Sequence, residues 1–524
     1  MRRRNLAALT LAALVPLSAV GISQAEMTAT PGKPFTVATG TCDERFEVAR
    51  PLREVVSAHA AAAATAATLN RDGTAAAAAA AASDDAASTI ATAGGLTAAD
   101  VRALVTDPSV HVVGDCKLAY AEPASLAPPH PTDIAQQRSS ASAKQAAAAQ
   151  LPAPTVKKVF NLSSKKAAPL TIYLDFDGAN LKHTAHYDKR RPATATAGRF
   201  NLDNNDKAYS EAERRAMFEI WQTVSATYAA WHVNVTTVKP TFDDLKRSGP
   251  NDRRYGTTIV VTGSHPGGAA CSCTGWAFIG TFDTTWTNQM EYRTGLVFAQ
   301  RMRAYMADHA DLVGKVIGSV ASHEVGHQLG LKHDGGKDSE YHQGNEVWGP
   351  IMGSAYKAPL MQFDKGAYAG ATNRQQNDLV IISRQLPRAG DQHPGKPSAA
   401  VEIPLNKAQY PMLGIGDGDA FKVNLTKGQR VRIGAVPAAR FSPLDLQMQV
   451  YDRTGKVLAT RNPGTSAKDR NTAVGVGAWH DFTATYTGKY TVRIAAGVSV
   501  STSGTRYTGQ YGNYGRYRLR VSTS

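Results

Sequence analysis

One stretch near the middle of the chain, residues 323–334, constrains its fold and chemistry more than any other. His323 and His327 are four positions apart, so on a helix they share one face and can bind one metal ion. Glu324 lies beside the first histidine, in position to polarise a metal-bound water. Gly330 permits a sharp exit from the helix that can bring His333 back as a third imidazole. Three imidazoles with one open position form a catalytic zinc site.

The alternative is an ordinary helix, because a lone His-Glu-x-x-His pattern also occurs where histidines cap or pack. Here six positions match an extended metal-binding pattern: His323, Glu324, His327, Gly330, His333 and Asp334. The preceding residues, Val316–Val320, read as the start of a buried helix. We therefore predict one catalytic Zn²⁺, with Glu324 as the catalytic residue and three ligands: His323, His327 and His333.

The stretch resembles the extended zinc signature of the metzincin metallopeptidases, and Asp334 resembles the adamalysin-like branch in particular. That group has a methionine turn below the metal, and Met352 within Trp348–Gly353 matches it. The resemblance implies that Met352 supports the zinc site without binding the ion; without the zinc pattern it would be a plain core methionine. Tyr356 lies farther past Met352 than in the branches with a tyrosine ligand, so we expect no such ligand.

A strand before the zinc stretch carries the predicted substrate site. Residues 275–280 (Gly-Trp-Ala-Phe-Ile-Gly) resemble the Gly-x-Ala-x-x-Gly edge strand that borders the active-site cleft of adamalysin-like enzymes. An extended substrate can pair with such an edge through main-chain hydrogen bonds. An ordinary edge strand bounded by glycines fits the same pattern. We expect four residues to border the substrate: Gly275, Trp276, Ala277 and Phe278.

Residues 1–25 read as an export signal. Arg2–Arg4 precede an apolar run from Leu6 to Val20, and Ser23–Ala25 form a small-residue cleavage site. We find no later apolar run long enough to span a membrane. We therefore predict a secreted bacterial protein without a transmembrane segment, and we expect a monomer.

Residues 26–165 are predicted to be an alanine-rich propeptide, because they lie between an export signal and the zinc stretch. The region holds alanine runs and proline-rich segments but few large apolar residues to anchor a core. Exposed-looking sites for its removal are Pro152–Pro154 and the dibasic pairs Lys157-Lys158 and Lys165-Lys166. A spacer without function would have the same composition.

Four cysteines in an exported chain suggest two disulfides, and pairing within each region is the simplest arrangement. It joins Cys42 to Cys116 and Cys271 to Cys273, although the second ring would be very tight. The other connectivities stay open. An unpaired Cys42 or Cys116 could instead bind the zinc as a thiolate and silence the enzyme. Neither lies in a recognisable switch motif, so we attribute latency to the bulk of the propeptide.

Residues 166–386 follow the metzincin order of elements, which implies an α+β catalytic domain with a mixed sheet and the zinc helix. A capping box at Ser210–Glu213 opens one helix, and the zinc helix begins near Lys315. Asp175 and Asp177 end a strand and could bind a structural Ca²⁺, although aspartates there more often cap a turn.

Residues 387–398 read as a linker, and 399–524 read as an all-β sandwich, which makes the chain multidomain. Residues 445–452 and 485–492 resemble the bacterial pre-peptidase carboxy-terminal (PPC-like) domain, a β-sandwich attached to secreted proteases and sometimes trimmed during maturation. The expected strands are 420–425, 430–435, 446–452, 456–460, 481–486, 489–495 and 514–521. Four tyrosines could bind sugars, although packing within strands is favoured: Tyr507, Tyr511, Tyr514 and Tyr517.

The formal charge of +15 is spread along the chain without zinc-finger, helix-turn-helix or ribonucleoprotein patterns, so we expect no nucleic-acid partner. Such a balance favours contact with acidic surfaces or polymers. We predict a secreted zinc metalloendopeptidase, made as a zymogen, that cleaves protein or peptide substrates with a zinc-activated water and Glu324 as general base. Two alternatives stay open: an exported surface-binding protein with a structural zinc site, and a zinc amidase acting on cell-wall peptides.

Overall fold

The structure, a computed structural model, describes residues 50–70, 75–94, 96–113, 116–123, 156–187, 192–205, 207–264, 273–285, 288–306, 313–337, 339–469, 472–497 and 510–524. They form an N-terminal unit (50–123), a central unit (156–386) and a C-terminal sandwich (397–524). The predicted signal peptide lies outside the described residues, as do Cys42, Cys271 and Tyr507.

The secondary structure alternates in the first two units and is all β in the third. The α-helices are α1 (Leu52–Asn70), α2 (Ala75–Gly94), α3 (Ala98–Leu104), α4 (Glu211–Thr227), α5 (Phe242–Leu245), α6 (Ala299–Met306), α7 (Val313–Gln328) and α8 (Asp378–Gln385). The strands of the first two units are β1 (Arg50–Pro51), β2 (Val110–Val113), β3 (Lys117–Pro123), β4 (Leu170–Asp175), β5 (Ala179–Asn180), β6 (Thr196–Ala197), β7 (Val233–Thr236), β8 (Gly256–Thr262), β9 (Cys273–Phe278), β10 (Thr294–Phe298), β11 (Trp348–Pro350) and β12 (Leu360–Gln362). The sandwich strands are β13 (Val401–Glu402), β14 (Met412–Leu413), β15 (Gly418–Leu425), β16 (Arg430–Pro437), β17 (Leu446–Tyr451), β18 (Val457–Arg461), β19 (Ser466–Asp469), β20 (Thr472–Val474), β21 (Ala478–Thr483), β22 (Gly488–Ala496) and β23 (Gly515–Thr523).

One eight-stranded sheet runs through the N-terminal and central units in the order β1-β2-β3-β9-β10-β8-β4-β7. The four strands β7, β4, β8 and β10 are parallel, while β9 is antiparallel to both β10 and β3. Strand β8 reads Gly-Thr-Thr-Ile-Val-Val-Thr, and its β-branched side chains suit a buried parallel strand. In the full chain β9 is not an edge strand, because β3 pairs with its outer side. The prediction that this strand lies at the edge of the sheet is therefore wrong.

Helices α4 and α7 pack together beside this sheet. As predicted, α4 begins with a capping box, in which the Ser210 hydroxyl accepts from the Glu213 amide and the Glu213 carboxylate accepts from the Ser210 amide. Gly318 lets the two helices approach, since a Cβ there would lie 2.6 Å from Cβ of Thr223. Every residue of α7 from Gly314 to Gln328 is buried, so this helix is the centre of the molecule.

The N-terminal unit has a hydrophobic core of its own, which the sequence did not predict. The alanine runs at 60–64 and 75–82 lie in α1 and α2, and the larger side chains come from the helix ends and from the β2–β3 hairpin. The core includes Leu52, Val55, Ile90, Val101, Leu104, Val110, Val112, Leu118 and Tyr120.

The central unit begins before the predicted boundary at residue 166. The Ser164 amide donates to the Val235 carbonyl at 2.9 Å, and Val159 lies in the central core. Lys165 donates to the Ala229 and Trp231 carbonyls, and burial lowers the pKa of Lys165 to about 8. Residues 159–165 therefore belong with the central unit, and Lys165 is not an exposed cleavage site.

The sandwich pairs a five-stranded sheet, β13-β15-β22-β17-β18, with a four-stranded sheet, β14-β23-β16-β21. All seven expected strands are present, whereas the short β13, β14, β19 and β20 were missed. The predicted linker is anchored, because the His232 amide donates to the Pro387 carbonyl at 2.7 Å and the Ala389 amide donates to the Ala230 carbonyl at 2.8 Å. Within the part of the chain that the structure describes, no helix has the length and apolar character that a membrane crossing requires.

Candidate metal centre

The three predicted histidine ligands converge on one point. His323 and His327 project from α7, and their Nε2 atoms lie 2.9 Å apart. After the helix, Gly330 adopts a φ of +92°, a conformation that other residues adopt only with strain. The Gly330 amide donates to the His327 carbonyl and the Leu331 amide donates to the Gly326 carbonyl, which closes the helix end. The chain then turns back and places His333 beside the other two imidazoles.

Each imidazole is oriented by a hydrogen bond from its Nδ1–H. His323 donates to the Ile351 carbonyl at 2.7 Å, and His327 donates to the Leu331 carbonyl at 2.8 Å. His333 donates to the Asp107 carboxylate at 3.1 Å. Since a carbonyl or carboxylate oxygen can only accept, each Nδ1 carries a proton, and each Nε2 is the nitrogen left to bind a metal ion. This is the usual arrangement of metal-binding histidines.

Glu122 of β3 completes the cluster, and the sequence did not predict it. Its Oε1 lies 2.9 Å from Nε2 of His333, 3.1 Å from that of His327 and 3.5 Å from that of His323. Burial acts to raise the pKa of Glu122, but His333 and His323 outweigh it and hold that pKa well below its usual range. Burial acts to lower the pKa of His333, but Glu122 and Asp107 raise it to about 10.

The cluster has the chemistry of a metal site. Four buried side chains each offer one ligand atom, and these atoms lie within 4.8 Å of one another: Glu122, His323, His327 and His333. Imidazole nitrogens and a carboxylate oxygen suit Zn²⁺ and other divalent first-row metals. The residues present therefore fit a metal ion.

Glu324 is buried beside the cluster and faces β9. A Cβ at Gly275 would lie 1.8 Å from Oε1 of Glu324, so glycine is needed at this position of the strand. Neither carboxylate oxygen of Glu324 has a hydrogen-bond partner among the described residues. Burial, and then the nearby Glu122 carboxylate, raise the pKa of Glu324 well above its usual value.

Met352 and Asp334, the predicted supports of the site, are both buried. Met352 is fully buried, and a Cβ at Gly326 would lie 2.5 Å from its sulfur, so the methionine packs against α7 between the two histidines. The Asp334 amide donates to the Met352 carbonyl at 2.8 Å. The Asp334 carboxylate is buried and has no hydrogen-bond partner in the described part of the chain.

A cavity opens beside His323, between α7 and the turn that follows Met352. The residues that line it are Glu122, Thr274, Ser319, Val320, His323, Tyr341, Ile351, Gly353, Ser354 and Tyr356. Tyr341 was not predicted, and its ring lies 4.3 Å from that of His333.

The N-terminal unit makes three further contacts around the cluster. The Tyr120 ring lies 4.1 Å from the rings of both His327 and His333. Asp100 pairs with Lys332 at 2.6 Å, and Asp107 holds His333. A sequence signal for this region did exist: two strand-like runs, 110–113 and 117–121, flank a Gly-Asp turn pair.

The described cysteines, Cys116 and Cys273, are not free thiols. Cys116 therefore cannot be the thiolate that the sequence left open as a metal ligand. Because Cys42 and Cys271 lie outside the described residues, the predicted pairing stays a prediction.

The remaining predicted side chains have structural contacts. Asp175 accepts from the Asp177 amide at 2.9 Å, which is a turn cap, and the structural Ca²⁺ stays a prediction. Tyr514 and Tyr517 are fully buried, so they pack as favoured. Tyr511 donates to the Asn377 side chain at 2.8 Å.

No family model matches the chain, and no curated protein sequence is significantly similar to it. Among solved structures, the chain is similar to the pre-peptidase C-terminal domain of a collagenase from Bacillus anthracis, at 17% identity over 25% of this chain and 99% of that one, with a TM-score of 0.17. It is also similar to a periplasmic inhibitor of g-type lysozyme from Aeromonas hydrophila (12% identity, 24% and 96% covered, TM-score 0.17). A surface-associated copper-binding protein from Methylomicrobium album gives 14% identity, 24% and 98% coverage and a TM-score of 0.17. At such scores these likenesses carry no argument about function, which has to come from the site.

Proposed function

We propose that the chain is a secreted zinc metalloendopeptidase that is made as a zymogen. The observation that carries this is the Glu324 carboxylate, which is buried beside three converging imidazoles without a hydrogen-bond partner among the described residues. An unpaired buried carboxylate costs free energy. A structural metal site has no use for such a group, whereas a general base beside a metal does.

The proposed roles follow from the positions of the side chains. His323, His327 and His333 would hold the ion. When bound, Zn²⁺ polarises the scissile carbonyl and lowers the pKa of water to about 7. Glu324 accepts a proton as general base and returns it to the leaving amine as general acid. Strand β9 binds the extended substrate backbone, and the cavity beside His323 accepts a substrate side chain.

The test is Glu324→Gln in the secreted chain after removal of the N-terminal unit. We expect casein hydrolysis to fall by about 100-fold or more, the size of a general acid–base contribution. The zinc content should stay at one ion per chain, because Glu324 is not a ligand. Glu211→Gln, an exposed position at the start of α4, is the control and should keep full activity. Undiminished hydrolysis by Glu324→Gln with zinc in place would exclude the role of Glu324.

A surface-binding protein with a structural metal site is the second candidate. It is favoured by the closed set of four ligand atoms, since structural zinc sites leave no position open. The two candidates differ in the chain without its N-terminal unit. A binding protein would retain zinc but cleave no unfolded protein, whereas the peptidase would cleave casein and lose that activity to a chelator.

A further inference from the structure

We infer that β3 keeps the metal centre closed, with Glu122 as the fourth metal ligand and the strand itself in the groove that an extended substrate would use. This inference rests on the proposed function. It assigns latency to one carboxylate on a substrate-like strand, and not to the bulk of the N-terminal region as the sequence suggested.

Main-chain pairing makes β3 and an extended substrate mutually exclusive. Strand β3 runs antiparallel to β9, with Ala119 opposite Phe278 and Ala121 opposite Trp276. The Ile279 amide donates to the Leu118 carbonyl at 2.9 Å. These are the β9 groups that a substrate backbone needs for strand addition. A substrate therefore cannot pair with β9 until β3 leaves.

The local geometry of β3 directs Glu122 at the metal position. Glu122 lies two residues after Tyr120, so the regular alternation of a strand places both side chains on the same face of β3. The carboxylate is 5% exposed and lies between three imidazoles. A carboxylate in the fourth position converts an open catalytic arrangement into a closed one.

The same geometry explains why a strand that resembles a substrate is not cleaved at the proposed peptidase site. The group that faces the three histidines is the Glu122 side chain and not a peptide carbonyl. Tyr120, on the same face of β3, covers the rings of His327 and His333. Asp107 accepts from Nδ1 of His333 at 3.1 Å, so the N-terminal unit contacts this histidine through three residues: Glu122, Tyr120 and Asp107.

The first experiment measures metal binding and does not depend on activity. The uncut chain is loaded with Co²⁺ as wild type, Glu122→Ala and the isosteric Glu122→Gln, and the visible spectrum and the rate of metal loss to a chelator are recorded. We expect both variants to change the spectrum and to lose metal about tenfold faster or more, since even an indirect partner of a metal site contributes that much to affinity. Glu54→Gln, an exposed glutamate of α1, should match wild type. Wild-type spectra and rates in both Glu122 variants would overturn the inference.

The second experiment separates this inference from the proposed function. Casein hydrolysis is compared between the uncut chain, uncut Glu122→Ala and the chain freed of its N-terminal unit. We expect the variant to hydrolyse at least about tenfold faster than uncut wild type, because loss of the Glu122 contact lets β3 leave β9 more often. If the freed chain is active and the variant stays as latent as wild type, Glu122 has no role in latency and the proposed function stands. If the freed chain holds zinc and cleaves nothing, the proposed function fails, and the cobalt measurement still decides whether Glu122 is a ligand.

Discussion

The N-terminal unit and the C-terminal sandwich both pack on the central unit, but through different kinds of contact. The N-terminal unit pairs β3 with β9 and adds polar contacts from Glu122, Asp107 and Asp100. Among the described residues, its hydrophobic core takes only Ile279 from the central unit. It therefore has a core that does not depend on the surface to which it docks.

The sandwich shares its interior with the central unit instead. Met412, Phe441 and Tyr514 belong to the central hydrophobic core. The Tyr514 ring lies 5.3 Å from that of Trp231, and its hydroxyl donates to the Thr227 carbonyl at 2.8 Å. Removing the sandwich would expose this apolar surface to water.

The difference indicates which region can leave. The N-terminal unit is held by strand pairing and ion pairs, and among the described residues only two small side chains of β3, Ala119 and Ala121, enter apolar clusters of the central unit. Such a unit exposes less apolar surface on separating than one whose large side chains fill a neighbour's core. The N-terminal unit suits a removable inhibitor of the proposed peptidase, and the sandwich suits a permanent support of the central unit. Pre-peptidase carboxy-terminal domains are sometimes trimmed during maturation, but we expect that trimming of this sandwich would destabilise the central unit.

The largest expected effect is that of Tyr514→Ala. Truncating this ring leaves a cavity against Trp231 and an unpaired Thr227 carbonyl, so we expect a loss of about 3–5 kcal/mol in the free energy of unfolding. Urea unfolding followed by tryptophan fluorescence measures it. Tyr410→Ala is the control, because that side chain is 36% exposed, and it should change the free energy by less than about 0.5 kcal/mol. If both variants unfold like wild type, the sandwich is not part of the central core.

The second-largest expected effect is a pH dependence of the free energy of unfolding, which arises at the interface between the sandwich and the central unit. The Asp445 amide and the Gln362 side chain both donate to Asn513 Oδ1 at 2.8 Å. Burial raises the pKa of Asp445 to about 7. The Thr465 hydroxyl donates a hydrogen bond to this carboxylate and opposes that rise, but burial is the larger influence. In the unfolded chain this carboxyl ionises near 3.8, so between that pH and 7 the unfolded state binds fewer protons. Stability should therefore fall as pH rises through this range, by at most about 4 kcal/mol.

Asp445→Asn should remove this slope of the free energy of unfolding against pH. Urea unfolding of the variant and wild type at pH 5 and pH 8 measures it. Asp243→Asn, an exposed position in α5, should leave the slope unchanged. Loss of the N-terminal unit should also leave it unchanged, since Asp445 lies at the other interface. An equal slope in wild type and Asp445→Asn would contradict the assignment.

The convergence of the three histidines and the sandwich strands could be predicted because local geometry encodes them. Helical spacing places His323 and His327 on one face, and the Gly330 turn fixes the return of His333 within six residues of His327. The sandwich strands show alternation and turn signals that act over a few residues. The position of Met352 against α7 was expected only through the resemblance.

The long-range contacts around the site could not be predicted in this way. Glu122 and His333 are 211 positions apart, and Tyr514 and Thr227 are 287 apart. No local pattern specifies such pairings. The alanine-rich composition also drew attention away from the β2–β3 hairpin, whose core comes from a few large side chains. A prediction of a passive propeptide followed from composition, whereas the contact at Glu122 depends on tertiary structure.

The third expected effect is at Gly275, in the strand that the N-terminal unit covers. In Gly275→Ala the new methyl would overlap Oε1 of Glu324, so Glu324 or β9 must shift, and we expect a loss of about 1–3 kcal/mol in the free energy of unfolding. Casein hydrolysis by the chain freed of its N-terminal unit should fall about 10-fold or more, with zinc retained. Gly249→Ala is the control, because a Cβ there meets nothing within 4 Å. Unchanged hydrolysis would show that β9 does not position Glu324.

The smallest expected effect tests whether docking of the N-terminal unit is separable from global stability. Lys332 pairs with Asp100 at 2.6 Å, and both side chains are partly exposed, so the pair contributes no more than about 1 kcal/mol. Lys332→Met keeps the length of the side chain and leaves the capping box between Asp100 and Thr97 intact. We expect global unfolding to stay nearly constant while the undocked population rises about fivefold. Hydrogen exchange at the Ile279 amide, which β3 protects, measures that population. Lys337→Met, at an exposed position, is the control. If Lys332→Met lowers global stability as much as Tyr514→Ala does, the N-terminal unit is part of the central core and the contrast between the two interfaces is wrong.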